Sequence, residues 1–357
     1  MNKSLTFLGI ETSCDETAAA VVQKDSQGNV KILSNIVSSQ IDEHLKFGGV
    51  VPENAARAHA EKIDIIIKKA LQKSKLSFKD LDGVAATAGP GLLVCLMIGL
   101  SAGKSIAAIL KKPFLAINHL EGHALTARIF NKISFPYLLL LISGGHTQFL
   151  IVEGVGKYKR IGTTIDDALG ETFDKTAKML GIEFPGGPKI EKFAKLGDEN
   201  FFNLPKPIIH HPGCNLSFAG LKTAILQITR TIKNQKQKND LAASFQKTIN
   251  EILYLKCKNA MKQFTNQYKN KNKIFVISGG VAANKSIRKN LDDLSIEMNF
   301  KNFFPPIEFC SDNGTMIAWA GIERFEKGIK DKLDVIAKPR WPLDPSAAFL
   351  KGAGVKY

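Results

Sequence analysis

Apolar runs that end in small polar turns recur along the chain. Three segments share this pattern: 7–22 (FLGIETSCDETAAAVV), 137–152 (YLLLLISGGHTQFLIV) and 274–291 (IFVISGGVAANKSIRKNL). In the first two, a second apolar run follows the turn, which predicts a β-hairpin. In the third, Gly279 and Gly280 lead into an amphipathic helix. Because such turns and helix N-termini present backbone N–H groups, each segment is suited to approach a phosphate.

The repeated hairpin predicts a duplicated lobe that holds a nucleotide between its two copies. Residues 78–119 alternate strand, glycine turn, helix and strand, which indicates an α/β fold class. We predict a division near residue 117, with an N-terminal lobe of residues 1–117 and a C-terminal lobe of residues 118–325. A tail of residues 326–357 is expected to pack back on the first lobe.

A glycine-rich segment at 99–105 (GLSAGKS) has some features of a phosphate-binding P-loop. That motif needs four residues between its glycines, whereas three separate Gly99 from Gly103. The segment also lies inside a predicted helix rather than on a turn between a strand and a helix. We therefore expect a helix of small residues that packs closely on its neighbour.

The composition is that of a globular protein with a strong positive charge. Of the 357 residues, 44% are apolar and 23% charged, and the formal net charge is +16. The charge indicates a polyanionic partner such as nucleic acid, although an A- and T-rich genome would also enrich lysine. The five cysteines form no C-x-x-C pair, which favours a reducing cytoplasm over disulfides or a thiolate zinc site. No signal peptide or membrane span is expected, and so no membrane partner.

Two histidines, His119 and His123, stand four residues apart in a predicted helix (NHLEGHALTARIF, 118–130). Side chains at this spacing lie on one helix face, with β-carbons roughly 5–6 Å apart. Two such imidazoles can bind one metal ion. Spacing of this kind also arises by chance, so the pair alone leaves both interpretations open.

Ten segments, in order along nearly the whole chain, resemble one known family. They are GIETSCDETAAAVV, GPGLLVCLMIGLSAGKS, NHLEGHAL, LISGGHTQ, GETFDKTAKMLG, FPGGP, SFAGLKTA, AASFQ, ISGGVAAN and FCSDNGTMIAW. The chain resembles the bacterial-type TsaD family, the transferase subunits of tRNA threonylcarbamoyladenosine synthase, formerly called O-sialoglycoprotein endopeptidases. The resemblance implies a two-lobed actin/hexokinase/Hsp70-like (ASKHA) duplicated α/β fold. It also implies transfer of a threonylcarbamoyl group from threonylcarbamoyl-AMP to the exocyclic amine of an adenosine beside the anticodon, in tRNAs that read codons starting with A.

The resemblance further implies a metal centre in the C-terminal lobe, formed by His119, His123 and Asp312. Two neutral imidazoles and one carboxylate leave open positions on an ion, as a catalytic site requires. The family implies Fe²⁺, while ligand chemistry alone also allows Zn²⁺. From the residues themselves, Asp312 is favoured as a helix N-cap, because Asn-Gly and an apolar run follow it.

The adenylate-binding residues implied by the resemblance also lie in the C-terminal lobe. They are Leu141, Ile142, Ser143, Gly144, Gly145, Asp174, Gly187 and Asn284. Gly144 and Gly145 are expected to offer amides to the phosphate, Asp174 to bind the ribose hydroxyls, and Gly187 to leave room for the adenosine. A plain tight turn and a helix N-cap are the alternatives for 141–145 and Asn284. Asp166 and Asp167 are expected to be solvated helix surface.

The acceptor amine is a poor nucleophile, because its lone pair is delocalised into the purine. Transfer therefore needs an activated electrophile, here a mixed carboxylic–phosphoric anhydride, with a metal ion as Lewis acid and template. No side chain is identifiable as the general base, and His146 is a candidate only by position. We therefore assign no catalytic residue beyond the metal centre.

Three other functions fit parts of the sequence less well. A small-molecule kinase of the same superfamily needs only Mg²⁺ and carboxylates, which leaves the histidine pair without a role. A metalloprotease of the H-E-x-x-H type needs glutamate next to the first histidine, whereas the order here is H-L-E-G-H with Glu121 in the middle. A non-catalytic paralogue would lack the histidine pair.

The resemblance implies protein partners besides threonylcarbamoyl-AMP and tRNA. They are a TsaB-like paralogue and a TsaE-like ATPase, with the N-terminal lobe as the expected surface for the paralogue. Surface lysines are expected to supply most of the affinity for tRNA through phosphate contacts.

Overall fold

A computed structural model describes residues 4–348 except residues 46 and 48. Its strands are β1 (Leu5–Glu11), β2 (Glu16–Lys24), β3 (Val30–Ser39), β4 (Gly83–Gly89), β5 (Phe114–Asn118), β6 (Tyr137–Ile142), β7 (Thr147–Gly154), β8 (Lys157–Thr163), β9 (Ile274–Ser278) and β10 (Lys301–Phe303). Its α-helices are α1 (Ile41–Leu45), α2 (Pro52–Ser74), α3 (Leu93–Leu110), α4 (His119–Leu125), α5 (Ala127–Phe130), α6 (Leu169–Met179), α7 (Gly186–Ala194), α8 (Ala219–Thr229), α9 (Gln235–Gln267), α10 (Lys285–Glu297) and α11 (Gly314–Glu326).

The strands form two sheets with the same connectivity. The first has the order β3-β2-β1-β4-β5, and the second has the order β8-β7-β6-β9-β10. In each sheet the central strand pairs antiparallel with the next strand of its hairpin, β1 with β2 and β6 with β7. It also pairs parallel with a later strand, β1 with β4 and β6 with β9. The predicted hairpins and the duplicated α/β fold are therefore confirmed.

The chain divides into two compact units. The first extends to Lys132 and also contains Val155–Lys157 and Ser311–Pro345, while the second comprises Ile133–Gly154 and Tyr158–Cys310. Helix α11 thus belongs to the first unit, although the sequence predicts a C-terminal lobe of residues 118–325. The reason is packing: a Cβ on Gly9 of β1 would lie 2.2 Å from the carbonyl oxygen of Gly314, so only glycine lets α11 lie directly on β1.

Helix α3 contains the segment with P-loop features and packs its glycines on the first sheet. A Cβ on Gly103 would lie 2.9 Å from Cβ of Ala86, and the amide of Gly99 donates to the Thr12 hydroxyl at 3.2 Å. The prediction of a closely packed helix is confirmed. Among the described helices, α3 is the one long and apolar enough to cross a membrane by length and composition, with 33% of it buried. A helix packed on a protein core meets the same criterion.

The segment after α11 returns along the first unit and is bonded to it in several places. The Asp331 carboxylate accepts from the backbone amide of Ala116 at 2.9 Å. The backbone amide of Lys338 donates to Ala88 at 2.6 Å, and the Asn118 amide donates to the carbonyl of Trp341 at 2.9 Å. The last residues of the predicted tail, 349–357, lie outside the described residues.

Candidate metal centre and predicted substrate-binding residues

The histidine pair lies where β5 passes directly into α4. Asn118 caps this helix, because its side chain accepts from the amides of Leu120 at 2.9 Å and Glu121 at 3.4 Å. The cap fixes the start of the helix at His119 and places His123 one turn later on the same face. The two rings meet edge to face, with centroids 4.8 Å apart. His119 is 8% exposed and His123 is fully buried.

Asp312 completes a group of three potential ligands. Its Oδ1 lies 3.0 Å from Nε2 of His123 and 3.5 Å from Nε2 of His119. One ligand atom from each of the three residues lies within 4.8 Å of the other two. The N-cap of α11 is Asn313, whose side chain accepts from the amide of Met316 at 3.0 Å. The alternative interpretation of Asp312 as the helix N-cap is therefore wrong, because Asn313 caps α11 and Asp312 contacts the two histidines.

This donor set fits a divalent transition metal. Two imidazole nitrogens and one carboxylate oxygen suit Fe²⁺ or Zn²⁺, and three protein ligands leave positions for substrate oxygens. The three residues lie together in the first unit. The prediction that this site lies in a C-terminal lobe is therefore wrong. The packing of α11 on β1 is a long-range contact that no local sequence pattern indicates.

Charges around the histidines favour a cation at this point. Burial lowers the pKa of His119, but the carboxylates of Asp312 and Glu11 outweigh it and raise this pKa to about 9. Burial together with the nearby Asp312 and Asp15 raises the pKa of Glu16 well above its ordinary value. The neighbouring carboxylates add to the effect of burial, so a positive ion here would relieve part of their repulsion.

Glu121 lies between the histidines in sequence and has a different role. It is fully buried, and its carboxylate accepts from Arg324 at 2.6 Å and from the backbone amide of Gly156 at 3.0 Å. An ion pair with arginine holds a carboxylate in its charged form and fixes its direction. The structure therefore gives Glu121 the geometry of a structural ion pair rather than that of a protease base.

The predicted phosphate-binding turn is the tip of the β6–β7 hairpin in the second unit. The amide of Ser143 donates to the carbonyl of His146 at 2.8 Å, which closes the turn. Gly144 and Gly145 are exposed at the tip, and a Cβ on either would meet nothing within 4 Å. Leu141 and Ile142 are fully buried in β6, where both pair with β7, so their side chains are not exposed to a ligand.

Two further elements of the second unit approach this turn closely. A Cβ on Gly170, in the first turn of α6, would lie 2.7 Å from the carbonyl oxygen of Ser143. Gly279, just after β9, has φ +97°, and a Cβ there would lie 2.4 Å from the carbonyl oxygen of Ile142. The glycine turns identified in the sequence therefore bring α6 and the end of β9 against the hairpin tip.

Asp174 is bonded to the residue that precedes Gly187. Oδ1 of Asp174 in α6 accepts from the backbone amide of Gly186, the first residue of α7, at 2.8 Å. Gly187 follows, and a Cβ on it would meet nothing within 4 Å. Within the described residues, nothing requires glycine at position 187, and the role of Gly187 in binding the adenosine stays a prediction.

Asn284 is the N-cap of α10, as the alternative interpretation predicts. Its side chain accepts from the amide of Ile287 at 2.9 Å and donates to Gln246 at 2.8 Å. The next amide, that of Lys285, donates to Glu191 of α7 at 3.1 Å. The cap thus lies near α7, while binding of a nucleotide by Asn284 stays a prediction.

The expectation that Asp166 and Asp167 are solvated helix surface is wrong. Both are half-buried and precede α6, which begins at Leu169. Asp166 accepts from the amide of Phe218 at 2.8 Å, and Asp167 forms an ion pair with Lys222. These carboxylates connect the residues before α6 to the start of α8, a long-range role that local sequence does not reveal.

Glu11 is a site residue that sequence reasoning missed, and its carboxylate lies 3.0 Å from Nδ1 of His119. The hairpin pattern at 7–22 predicts a role for the backbone amides of its turn, and it does not indicate a role for side chains at the end of the strand. The available signal was a charged residue at the end of an otherwise apolar strand. Such a residue is costly to bury unless it has partners.

Comparisons with known proteins agree on one family. The family model of TsaD, described as tRNA N6-adenosine threonylcarbamoyltransferase, matches residues 31–319. A protein of that name from Pelagibacter ubique is 63% identical over 357 residues, covering 100% of both chains. One from Bartonella bacilliformis is 49% identical and covers 98% of each chain.

Solved structures of lower identity share the fold. HypF from T. kodakarensis matches with a TM-score of 0.61 at 16% identity, over 92% of this chain and 48% of that one. Full-length HypF in a phosphate- and nucleotide-bound form matches with a TM-score of 0.56 at 14% identity, over 91% of this chain and 56% of that one. At such identities the similarity establishes the architecture alone.

Proposed function

The chain belongs to the TsaD family of tRNA N6-adenosine threonylcarbamoyltransferases, and we propose that His119, His123 and Asp312 hold the divalent metal ion of this activity. As a member of the family, the chain is an acyltransferase that modifies tRNA, transferring a threonylcarbamoyl group to N6 of an adenosine. The observation that carries the metal assignment is the convergence of two imidazoles and one carboxylate, with ligand atoms within 4.8 Å of one another.

The proposed ion is Fe²⁺, which the family resemblance favours, and Zn²⁺ fits the same donors. When bound, such an ion supplies a Lewis acid and a template for the anionic oxygens of the acyl donor. His119 and His123 orient their Nε2 atoms toward Asp312, and burial excludes water from the inner side of the site. In the metal-free protein, the raised pKa of His119 keeps a proton where the ion would bind.

We propose threonylcarbamoyl-AMP as the acyl donor, with AMP as the leaving group, bound by residues of the second unit. The exposed amides at Gly144 and Gly145 suit its phosphate, because backbone N–H groups at a tight turn bind anions. The Asp174 carboxylate is bonded to the residue that precedes Gly187, an arrangement that suits a ribose and its base. Leu141, Ile142 and Ser143 contribute backbone to this site, and Asn284 is the remaining proposed contact.

The acceptor is proposed to be the adenosine beside the anticodon, in tRNAs that read codons starting with A. Affinity for the rest of the tRNA comes from lysines on the surface, which the net charge of +16 supplies. Each phosphate contact releases counterions from the nucleic acid, so this affinity depends on salt.

A TsaB-like paralogue is proposed to bind the first unit through α3. Three apolar side chains on this helix are exposed to solvent: Leu93 by 48%, Val94 by 44% and Met97 by 52%. Apolar side chains grouped on one helix are typical of a protein-binding surface. A TsaE-like ATPase is proposed as the second partner on the family resemblance alone.

The paralogue surface is tested by one substitution and a matched control. Met97→Lys should weaken binding of the paralogue at least tenfold in calorimetry, because a charge would be buried in the interface. Ile296→Lys changes an apolar side chain on α10 of the second unit that is even more exposed, by 79%, and it should leave binding unchanged. Equal affinities for both variants and the wild type would exclude α3 as the contact.

The metal assignment is tested by removing both histidines. The double substitution His119→Ala and His123→Ala should abolish metal binding and the transfer of labelled threonine to tRNA while leaving the fold intact. The control replaces His210 and His211, two exposed histidines of the second unit, with alanine. Metal content equal to that of the wild type in the first variant would refute the site.

A further inference from the structure

Glu11 is a fully buried carboxylate at the end of β1, beside the proposed metal ligands. Its Oε1 accepts from the backbone amide of Ser13 at 2.5 Å. Its Oε2 accepts from the Thr87 hydroxyl of β4 at 2.5 Å and lies 3.0 Å from Nδ1 of His119. Donors from three separate elements therefore surround this one side chain.

The donors around Glu11 favour its carboxylate form, and a carboxylate at this position determines the tautomer of neutral His119. A backbone N–H can only donate, so the oxygen facing Ser13 must accept. The Thr87 hydroxyl lies against the other oxygen, so both oxygens of Glu11 have hydrogen-bond donors beside them, as a carboxylate requires. With Glu11 a carboxylate, Nδ1 of His119 must carry a hydrogen. In neutral His119 the lone pair is then on Nε2, the nitrogen that lies 3.5 Å from Asp312.

We propose that Glu11 is a positioning residue of the metal centre, which holds the Nδ1–H of His119 and thereby presents Nε2 to the ion. This inference rests on the metal site proposed above. Glu11 touches neither the ion nor the substrate, and it acts only through His119. Such carboxylate–histidine–metal arrangements fix the tautomer and the ring direction, and they raise the basicity of the ligand.

The two histidines differ in the hydrogen bonding of Nδ1. Within the described residues, Nδ1 of His123 is buried without a hydrogen-bond partner. His119 is therefore the ligand whose orientation is set before the ion arrives. The Ser13 hydroxyl also lies 3.1 Å from Nδ1 of His119, but a hydroxyl can donate or accept and so does not dictate the tautomer.

Replacing Glu11 with glutamine changes the hydrogen-bond pattern with little change of shape. If the amide oxygen faces Ser13, the NH₂ group faces Nδ1 of His119, which must then accept and move its proton to Nε2. If the amide is reversed, the NH₂ group opposes the N–H of Ser13. Ligation through Nε2 is possible only in the second arrangement, and the repulsion at Ser13 makes that arrangement unfavourable, so metal binding is weakened. If Glu11 only stabilised the packing of β1 against β4 and α4, its replacement would lower the stability of the fold without changing the tautomer of His119.

The experiment combines metal affinity with nuclear magnetic resonance of the full chain, using Zn²⁺ as the probe. Competition with a chelator gives the affinity of the wild type, of Glu11→Gln and of Glu121→Gln. The last variant removes another fully buried carboxylate, on α4 itself, that is bonded to Arg324. Nitrogen-15 spectra of histidine-labelled protein show which ring nitrogen of His119 binds the metal. This measurement is made on the wild type, so it does not depend on whether a variant folds.

The expected result is metal on Nε2 and a proton on Nδ1 of His119 in the zinc-loaded wild type. At pH 9, where competition from the His119 proton contributes at most about twofold, Glu11→Gln should bind Zn²⁺ about 10–100-fold more weakly, and Glu121→Gln should bind it like the wild type. Metal on Nδ1 in the wild type, or unchanged affinity in Glu11→Gln, would overturn the role of Glu11 while leaving the metal site in place. A wild type that binds no Zn²⁺ at His119 would instead overturn the metal site itself.

Discussion

Metal binding at His119 should compete with a proton, and raising the pH should therefore strengthen it. Burial lowers the pKa of this histidine, but the carboxylates of Asp312 and Glu11 raise it to about 9. An imidazolium cannot bind a metal ion, so each ion must first displace that proton. The perturbation is a change of pH from 7 to 9 in otherwise constant buffer.

The size of the effect follows from the fraction of neutral histidine. With a pKa of about 9, roughly 1 molecule in 100 has neutral His119 at pH 7, and about half do at pH 9. The apparent affinity should then rise roughly 50-fold across this range, or about 2.3 kcal/mol at 1.36 kcal/mol for each pKa unit. An unperturbed histidine, with a pKa of about 6.5, would be largely neutral at both values and would give almost no change.

The stability of the metal-free fold should decrease as the pH rises, whereas the metal affinity increases. The pKa of His119 is higher in the folded protein than in the unfolded chain, so the proton stabilises the fold. This contribution is fully present below about pH 6.5 and is lost as the pH rises through about 9. The melting temperature in chelator should therefore fall from pH 7 to pH 9, while the increase caused by Zn²⁺ grows.

The assay is a chelator competition with Zn²⁺ at half-unit steps of pH, with thermal melts of the same samples. The double variant His119→Ala and His123→Ala supplies the background at each pH. An affinity of the wild type that stays constant from pH 7 to pH 9 would refute the argument, because it would show that no proton is held at the ligand position.

Four further predictions concern other parts of the molecule. Asp174→Ala should weaken binding of the adenylate by about 1–3 kcal/mol in calorimetry, the usual loss for hydrogen bonds to a charged group, and wild-type affinity would exclude the contact. Gly187→Val should leave the melting temperature within a few degrees of wild type, because a Cβ there meets nothing within 4 Å, yet it should reduce adenylate affinity. Gly9→Ala should cost about 1–3 kcal/mol in urea unfolding, since its Cβ would lie 2.2 Å from the carbonyl oxygen of Gly314. Binding of tRNA should fall linearly on a log–log plot as salt rises, and a flat response would show that the excess of lysine does not serve tRNA.

The fold could be predicted from sequence because its signals are local. Apolar strands that end in glycine or hydroxyl turns identify both hairpins, and their repetition identifies the duplication. The place of α11 could not be predicted in this way. Its position on β1 depends on the absence of a side chain at Gly9, which nothing in the neighbouring sequence links to Gly314.

The metal site could be predicted only where its signals are local. His119 and His123 share a helix face, and a spacing of four residues shows this directly. The contact from His123 to Asp312 spans 189 residues, and the Asn-Gly that follows Asp312 favours a cap when only local sequence is considered. Glu11 is 108 residues from His119, so its role became visible only once β1 and α4 were placed together.

Because α11 packs on β1, the first unit is assembled from both ends of the polypeptide. A ribosome makes Glu11 early and the two histidines about a third of the way along, but it makes Asp312 near the end. A nascent or prematurely terminated chain that stops before Ser311 therefore contains the residues of the first sheet and the histidine pair, but it lacks α11 and the third ligand. Formation of the metal centre thus reports that synthesis has passed residue 312, and incomplete products are left without a complete ligand set.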